Sequence, residues 1–571
     1  MIDSISFVYH KFTKYRAEVL PLLIDHNYKK VFKYSLEVLI LQIMKSFLIT
    51  AAVFFGICLV YILIMLSTTE NNFTYIVDDA YIHMAVAKNF ALHGVWGMTK
   101  YAFSSSSSSP IFTLILSALI SVFGNHILIP LVFNLSAACL LVAVLTKYYS
   151  NYLNKTKHIV ATCLFTLFLA VMHVQVVAGM EHVLQVLIIA VNIYCFQKWF
   201  AGNFKNSVFS FGFYCTILLL GLIRFESMFY FLSLAFVFLL IRKFKDAALV
   251  LFIGFLPILL FGYFNEQQSG YFFPNSVVVK GALIDFSGNV ISQIAEIIFW
   301  KLFLNITFYK IGVFPLLIII ILLYKDYKSK LDFQQILKKN FLLIVWAFTL
   351  ILHCLLGDVK IIFRYEAYLL TAFVMILVPG LTDFIREPLL SFRKDKVTGI
   401  FILANAVLLL YKFGFAHFII ICGSANIYEQ QIQSARFLKK YYNTSDIVAN
   451  DIGAICYYTD IHLLDVIGLG SKEMVDIKVR KNVFDDEVEE FLTKYAQENH
   501  YQLAIIYEKW FDGHIPESWK KIADLEVSGR SIVLGDRHVV IYSIDPLTSD
   551  ILKKNVKNFN WNKNVTVTVF E

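Results

Sequence analysis

A polytopic α-helical membrane protein with a small C-terminal α/β domain is the fold class that the sequence predicts, on three observations. The chain of 571 residues is 58% hydrophobic and only 16% charged, with a mean hydropathy of +0.66, which a water-soluble domain with one ordinary core does not reach. Apolar runs near the ~20 residues that a helix needs to cross hydrocarbon recur up to residue 421. Beyond 421 the charge density becomes ordinary and the periodicity mixed.

The first element, residues 1–45, carries scattered Lys, Arg, Asp and Glu without a compact apolar stretch or a small-residue cleavage site. It reads as a cytoplasmic segment and not as a removable signal peptide. Crossings are expected near 46–66, 127–146, 158–178, 183–200, 207–222, 227–241, 246–263, 299–323, 341–356, 365–384 and 398–421, about eleven in all. Basic clusters at Lys29 to Lys45, Lys147 to Lys157, Lys198 with Lys205, Arg242 to Lys245, Lys325 to Lys339 and Arg386 to Lys396 fall in alternate turns, which the positive-inside rule makes cytoplasmic. The formal net charge of +8 is therefore a topology signal and not a nucleic-acid footprint. Alternation holds if SPIFTLILSALISVFG, 109–124, lies on the membrane outside instead of crossing it. The transmembrane domain then spans 46–421, with a first external loop at 67–126.

The remainder, 422–571, is expected to be an extracytoplasmic α/β domain: a helix over QQIQSARFLKKYY, strands in SDIVAND, IHLLDVIG and YQLAIIY, and a hairpin in SIVLGDRHVVIYSI. It contains no phosphate loop or nucleophile elbow. The eight cysteines include Cys58, Cys139, Cys163, Cys195 and Cys215 in apolar stretches and form no CxxC pair, so they read as packing residues.

Six polar motifs border the apolar runs: DDAYIH (78–83), GMEH (179–182), RFE (224–226), FPNSVVVK (273–280), GDVKIIFRYE (357–366) and DIGAICYY (451–458). Ionisable groups at a membrane edge are costly, which makes them candidate functional residues. On the topology above, Asp78, Asp79, Glu181, Arg224, Glu226, Lys280, Asp358 and Arg364 all lie outside. Asp78 and Asp79 open a helix that Gly94 ends; one aspartate suits an N-cap, and two crowded carboxylates suit a base with a raised pKa. His83, four residues beyond Asp79, either orients a side chain or joins Glu181 and His182 around a metal. Arg224 and Glu226 read equally as an ion pair or as ligand contacts. Asn275 suits a loop backbone, Lys280 a phosphate or a lipid headgroup, and Arg364 a phosphate or an ion pair with Asp358 or Glu366. The serines Ser104–Ser109 offer hydroxyls or a flexible loop. Asp451, Tyr457 and Asp465 are compatible with purely structural roles.

The ordered series DDAYI, Ser-Pro helix, G-x-E, R-x-E, PN-x-x-x-x-K, G-D with a following Arg, and D-I-G-x-x-x-YY resembles the GT-C superfamily of lipid-linked-sugar glycosyltransferases. Bacterial arabinofuranosyltransferase-like and mannosyltransferase-like members are the nearest in pattern. The resemblance runs from about Tyr75 to Leu469; RFE stands where RPE is commoner, and GMEH where GLET is commoner. It implies a GT-C-like fold in a bacterial inner membrane and inverting transfer from a polyprenyl-phosphate sugar to a glycan, lipid or protein acceptor at the outer face. Asp78 is then the preferred catalytic base with Asp79 close behind, Lys280 and Arg364 the leading phosphate ligands, and Arg224 a third. Glu181 contacts a sugar hydroxyl or a metal, with Glu226, Asn275 and Asp358 nearby in the binding region. No cofactor is implied with certainty, and a divalent cation is left open. Two rival readings stand beside it: a transporter or flippase for a lipid-linked glycan, which would use the same basic cavity without chemistry, and a non-catalytic scaffold for envelope assembly, in which the C-terminal domain does the binding.

Overall fold

Each apolar segment named above carries helix in the computed structural model, which describes residues 26–279, 289–303, 308, 311–357, 363–480 and 483–571. Among the described residues, five helices are long and apolar enough to cross a membrane: Glu37–Thr68, Ile129–Tyr149, His182–Ala201, Phe244–Ser269 and Lys396–Tyr441. Two bent pairs, Thr156–Leu169 with Met172–Ala178 (52°) and Phe333–Lys339 with Phe341–Leu356 (77°), raise that number to seven. Of the other expected crossings, 299–323 lies partly outside the described residues, and three form shorter helices for a local reason. Ser207–Ile223, Ser227–Leu240 and Ala367–Gly380 stop short of ~20 residues because the polar breaks at 224–226 and 364–366 end them. Arg224, Phe225 and Glu366 in those breaks are buried in protein, where an irregular backbone at membrane depth can be satisfied.

The helix Asp79–His93 is almost wholly buried over Ala80–Asn89 and ends at Gly94 in the left-handed region. Pro110–Phe123 forms as expected, begins with its proline, and packs against it. The serine run does not behave as a flexible loop. Ser105, Ser107 and Ser109 are fully buried, and the ribbon threads between the helices and the C-terminal domain: Ser106 Oγ donates to the Leu469 carbonyl at 2.6 Å, and the Ser105 carbonyl accepts from Asn275 N at 2.9 Å. Small hydroxyl side chains can thread there while supplying their own hydrogen bonds.

The change of composition at 421 is not a change of backbone. Lys396–Ile427 continues through a wider turn at Tyr428–Ile432 into Gln433–Tyr441, so one continuous helix joins the apolar bundle to the sheet domain. Six strands follow among the described residues: β1 (Asp446–Ala449), β2 (His462–Asp465), β3 (Leu503–Ile506), β4 (Lys520–Val527), β5 (His538–Ser543) and β6 (Val565–Val569). They lie in the order β2-β1-β3-β5-β4-β6. β1 pairs in parallel with β2 and β3, and the other pairings are antiparallel. The expected hairpin within 531–544 does not form; β5 pairs instead with β3 and with β4, whose mixed pattern KKIADLEV gave no clear strand signal.

Alternate residues of the strands serve two cores. Ile447, Leu503, Ile505 and Ile541 belong to the core continuous with the helical bundle. Val448, Ala504, Ile506 and Val540 pack in a second core against the helices Lys472–Arg480 and Asp486–Glu498. A strand buried on both faces reads as a nearly continuous apolar run, which is how LAII and HVVIYS read.

Candidate functional site

Asp78 and Asp79 are adjacent in sequence and opposite in use. The Asp78 carboxylate accepts from the backbone N–H of Gly453 (2.6 Å) and Ala454 (2.8 Å), at the start of the short helix Gly453–Tyr458. Ten residues on, Lys88 donates to the carbonyls of Cys456 (3.0 Å), Tyr457 (2.9 Å) and Thr459 (3.3 Å) at the other end of that helix. Acceptor oxygens at the N-terminus and an ammonium donor at the C-terminus satisfy the orphan backbone groups of that helix. The Asp79–His93 helix thus grips the C-terminal domain at two points.

The grip explains the glycine of D-I-G. A Cβ on Gly453 would lie 2.4 Å from the Asp78 carbonyl oxygen and 2.5 Å from its carboxylate. We expect Gly453→Ala to cost ~1–3 kcal/mol by overpacking and to speed proteolytic release of the C-terminal domain. Gly414→Ala is the matched control, since a Cβ there meets nothing within 4 Å; equal proteolysis of the two variants would contradict the clamp.

Burial, and then the nearby charge of Asp451, pushes the Asp78 carboxyl well above the usual aspartate range, against the pull of the two backbone donors. Asp451 in turn accepts from Gln431 Nε2 (2.5 Å) and the Tyr507 hydroxyl (2.7 Å). The folded pKa of Asp78 exceeds the ~3.9 of an unfolded aspartate. Its stabilising contribution is therefore complete below about pH 3.9 and is lost as pH rises through the folded value. We expect the thermal midpoint to fall from acidic toward alkaline pH and Asp451→Asn to flatten that slope, because an amide keeps an acceptor for Tyr507 and supplies a hydrogen to Asp78. An unchanged slope in Asp451→Asn would contradict the coupling.

Asp79 turns the other way and pairs with Arg364, Oδ2 to Nη1 at 2.5 Å. The Asp79 side chain is 34% exposed and that of Arg364 13%. Arg364 also stands over the Tyr365 ring, 5.0 Å from its centroid, with Arg224 5.1 Å from the same centroid. The loop carrying them is fixed from below by a fully buried ion pair between Glu366 and Lys412.

Arg224 is committed differently. It makes a two-pronged pair with Glu226, Nε to Oε2 at 3.0 Å and Nη2 to Oε1. Its Nη1 donates to Glu181 Oε1 at 2.5 Å and to Ser108 Oγ at 3.4 Å. Glu181 is fully buried, with His83 Nε2 3.3 Å away. Burial opposes ionisation of Glu181, but His83, Arg224 and His182 outweigh it and hold the carboxyl down at about 2. Burial lowers the pKa of His83, whose Nδ1 sits 3.1 Å from Ser107 Oγ and 3.3 Å from Thr113 Oγ1. Gly179 shapes this corner: it has φ +71°, and a Cβ there would lie 2.4 Å from the Tyr75 ring.

Of the residues singled out in the sequence, Asp79, Glu181, Arg224, Glu226 and Arg364 meet around Tyr365, at the end of the bundle covered by the sheet domain. Asp78 is drawn away to the C-terminal domain. Asn275 is buried and donates from Nδ2 to the Leu469 carbonyl at 3.2 Å, which docks a loop. Lys280 and Asp358 lie outside the described residues. His83 faces Glu181, Ser107 and Thr113; the described residues gathered closely enough to hold a metal are the remote Asp486, Glu489 and His514. Asp465 accepts from the N–H of Ile467 and Gly470 and shapes a turn. Sequence reasoning missed Lys88, Tyr365 and Lys412. Two of them had a signal: Lys88 and Lys412 each interrupt an apolar stretch in the middle of a helix.

Residues 425–542 match a family model described as "Domain of unknown function (DUF8728)". No curated protein matches the chain. The chain is similar to the crystal structure of ArnT from Cupriavidus metallidurans bound to undecaprenyl phosphate, with a TM-score of 0.48 and 11% identity over 87% of this chain and 98% of that one.

Proposed function

We infer that the protein is an inverting glycosyltransferase that takes a sugar from a polyprenyl-phosphate donor and passes it to a hydroxyl-bearing glycan, lipid or protein acceptor at the extracytoplasmic face of a bacterial inner membrane. One observation carries this reading: the Asp79–Arg364 pair is partly open to solvent beside the buried pair of Arg224 with Glu181. The ordered motif series and the basic turns at the other end of the bundle support it.

Asp79 takes the base role and Arg364 the phosphate role. In this account the donor phosphate competes with Asp79 for the guanidinium, and the displaced carboxylate accepts the acceptor's hydroxyl proton. The acceptor oxygen attacks the anomeric carbon from the face opposite the phosphate. The bond from that carbon to the phosphate oxygen breaks, its electron pair leaves with the lipid phosphate, and Arg364 stabilises the charge that develops there. Arg224 and Arg364 face three carboxylates, Asp79, Glu181 and Glu226. Phosphate therefore calls for a further cation, the role that the motif resemblance gives Lys280, which lies outside the described residues. Arg224, held between Glu181 and Glu226, positions Tyr365 and the serine ribbon.

The test is incubation of the purified protein with a panel of polyprenyl-phosphate sugars and candidate acceptors. Donor-dependent release of polyprenyl phosphate with inverted anomeric configuration in the product is expected. Movement of intact donor across a vesicle membrane without cleavage would replace the reading with a transporter.

A further inference from the structure

At the end of the bundle away from Asp79 and Arg364 lies a cavity of about 300 Å³ between the helices Thr156–Leu169, Val313–Lys328, Ala367–Leu377 and Lys396–Ile427. Phe165, Pro315, Phe373, Leu377, Ile385 and Ile402 are among its walls. It begins at Leu370, one turn inside the helix that Arg364 and Tyr365 precede, and extends away from them to Leu381 and Ile385. Its polar lining residues are spoken for. Thr162 Oγ1 donates to the His158 carbonyl and Asn405 Nδ2 to the Phe401 carbonyl, each at 2.8 Å along its own helix. Water entering such a space would find few partners, and an apolar void of this size forfeits dispersion contacts along every wall. Hydrocarbon is the occupant that restores them.

The rim has the opposite character. Arg386 directly follows the lining residue Ile385, and its guanidinium is fixed by donating from Nη2 to the Tyr152 carbonyl at 2.6 Å. His158 lies one turn before Thr162, within electrostatic reach of Lys155, Lys157 and Arg386. Its Nδ1 is buried with no hydrogen-bond partner among the described residues. An apolar chamber with cations and an unpartnered ring nitrogen at one edge matches an amphiphile with a hydrocarbon chain and an anionic head.

We propose that this cavity is a binding site for one anionic glycerophospholipid, an acyl chain in the chamber and its phosphate against Arg386, Lys157 and His158. The site is separate from the one assigned to sugar transfer and does not depend on that reading. A lipid there ties four helices together at the end of the bundle that the sheet domain does not cover.

The experiment is native mass spectrometry of the delipidated full-length protein, titrated with dioleoyl phosphatidylglycerol or dioleoyl phosphatidylcholine. One phosphatidylglycerol is expected to stay bound, with about thirtyfold preference over phosphatidylcholine, the factor that ~1 kcal/mol from each of Arg386 and Lys157 gives. Arg386→Gln combined with Lys157→Gln should abolish the preference, and Ala161→Trp, which fills the chamber, should abolish retention of both lipids. Equal retention of the two lipids by the wild type, or a preference that survives in the Arg386→Gln/Lys157→Gln protein, overturns the proposal. That pair of changes lies at the rim, so it decides the matter even where Ala161→Trp fails to fold.

Discussion

Asp79→Asn should lower transfer by ~10²–10⁴-fold, the range over which a positioned general base contributes, while leaving the fold intact. The amide removes the anion that competes with the donor phosphate for the Arg364 guanidinium, now 2.5 Å from Asp79, so donor binding should not weaken. The loss therefore falls on kcat and not on KM. Arg364→Gln gives the complementary pattern: it weakens phosphate binding and leaving-group stabilisation together, so kcat/KM drops further than kcat. Steady-state kinetics on the two variants separates the roles, and a full-rate Asp79→Asn enzyme removes the base.

The largest expected effect on stability comes from Arg224→Met. Glu181 is fully buried, and its Oε1 is held by the Arg224 guanidinium at 2.5 Å. Removing the cation strands a charge in protein interior, and breaking a buried pair by deleting one partner costs ~3–5 kcal/mol. Adding Glu181→Gln in the same chain should recover much of that loss, since the uncompensated charge disappears with it. A double-mutant cycle read by thermal unfolding in detergent tests this. Additive losses would mean that the two side chains are not coupled as the geometry has them.

The helical bundle was legible because its signal is local: an apolar run of sufficient length forms a helix with little help from the rest of the chain. Grouping Glu181, Arg224, Glu226 and Arg364 was legible for a related reason, since charges at the borders of such runs need partners. The division of labour between Asp78 and Asp79 was not. Successive residues at a helix start point in different directions, and which one meets the C-terminal domain depends on Gly453, 375 residues away. The serine run misled because low complexity reads as loop, whereas Ser106 and Ser107 are held by Leu469 and by His83 with Thr113. In the sheet domain β1, β2 and β3 carry compact apolar runs. The hairpin failed because the true partner of β5, β4, carries three charges among its first five residues, KKIAD.

The central claim is that the two neighbouring aspartates hold different jobs, Asp79 at the open charge pair and Asp78 in the clamp on Gly453. The direct measurement compares Asp78→Asn and Asp79→Asn in one preparation, reading turnover of a polyprenyl-phosphate sugar alongside the thermal midpoint and proteolytic release of the C-terminal domain. The account predicts a crossed result: Asp79→Asn inactive with a wild-type midpoint, and Asp78→Asn with altered stability and domain release. The reverse outcome, an Asp79→Asn protein of full activity beside an inactive Asp78→Asn protein of unaltered stability, would contradict it.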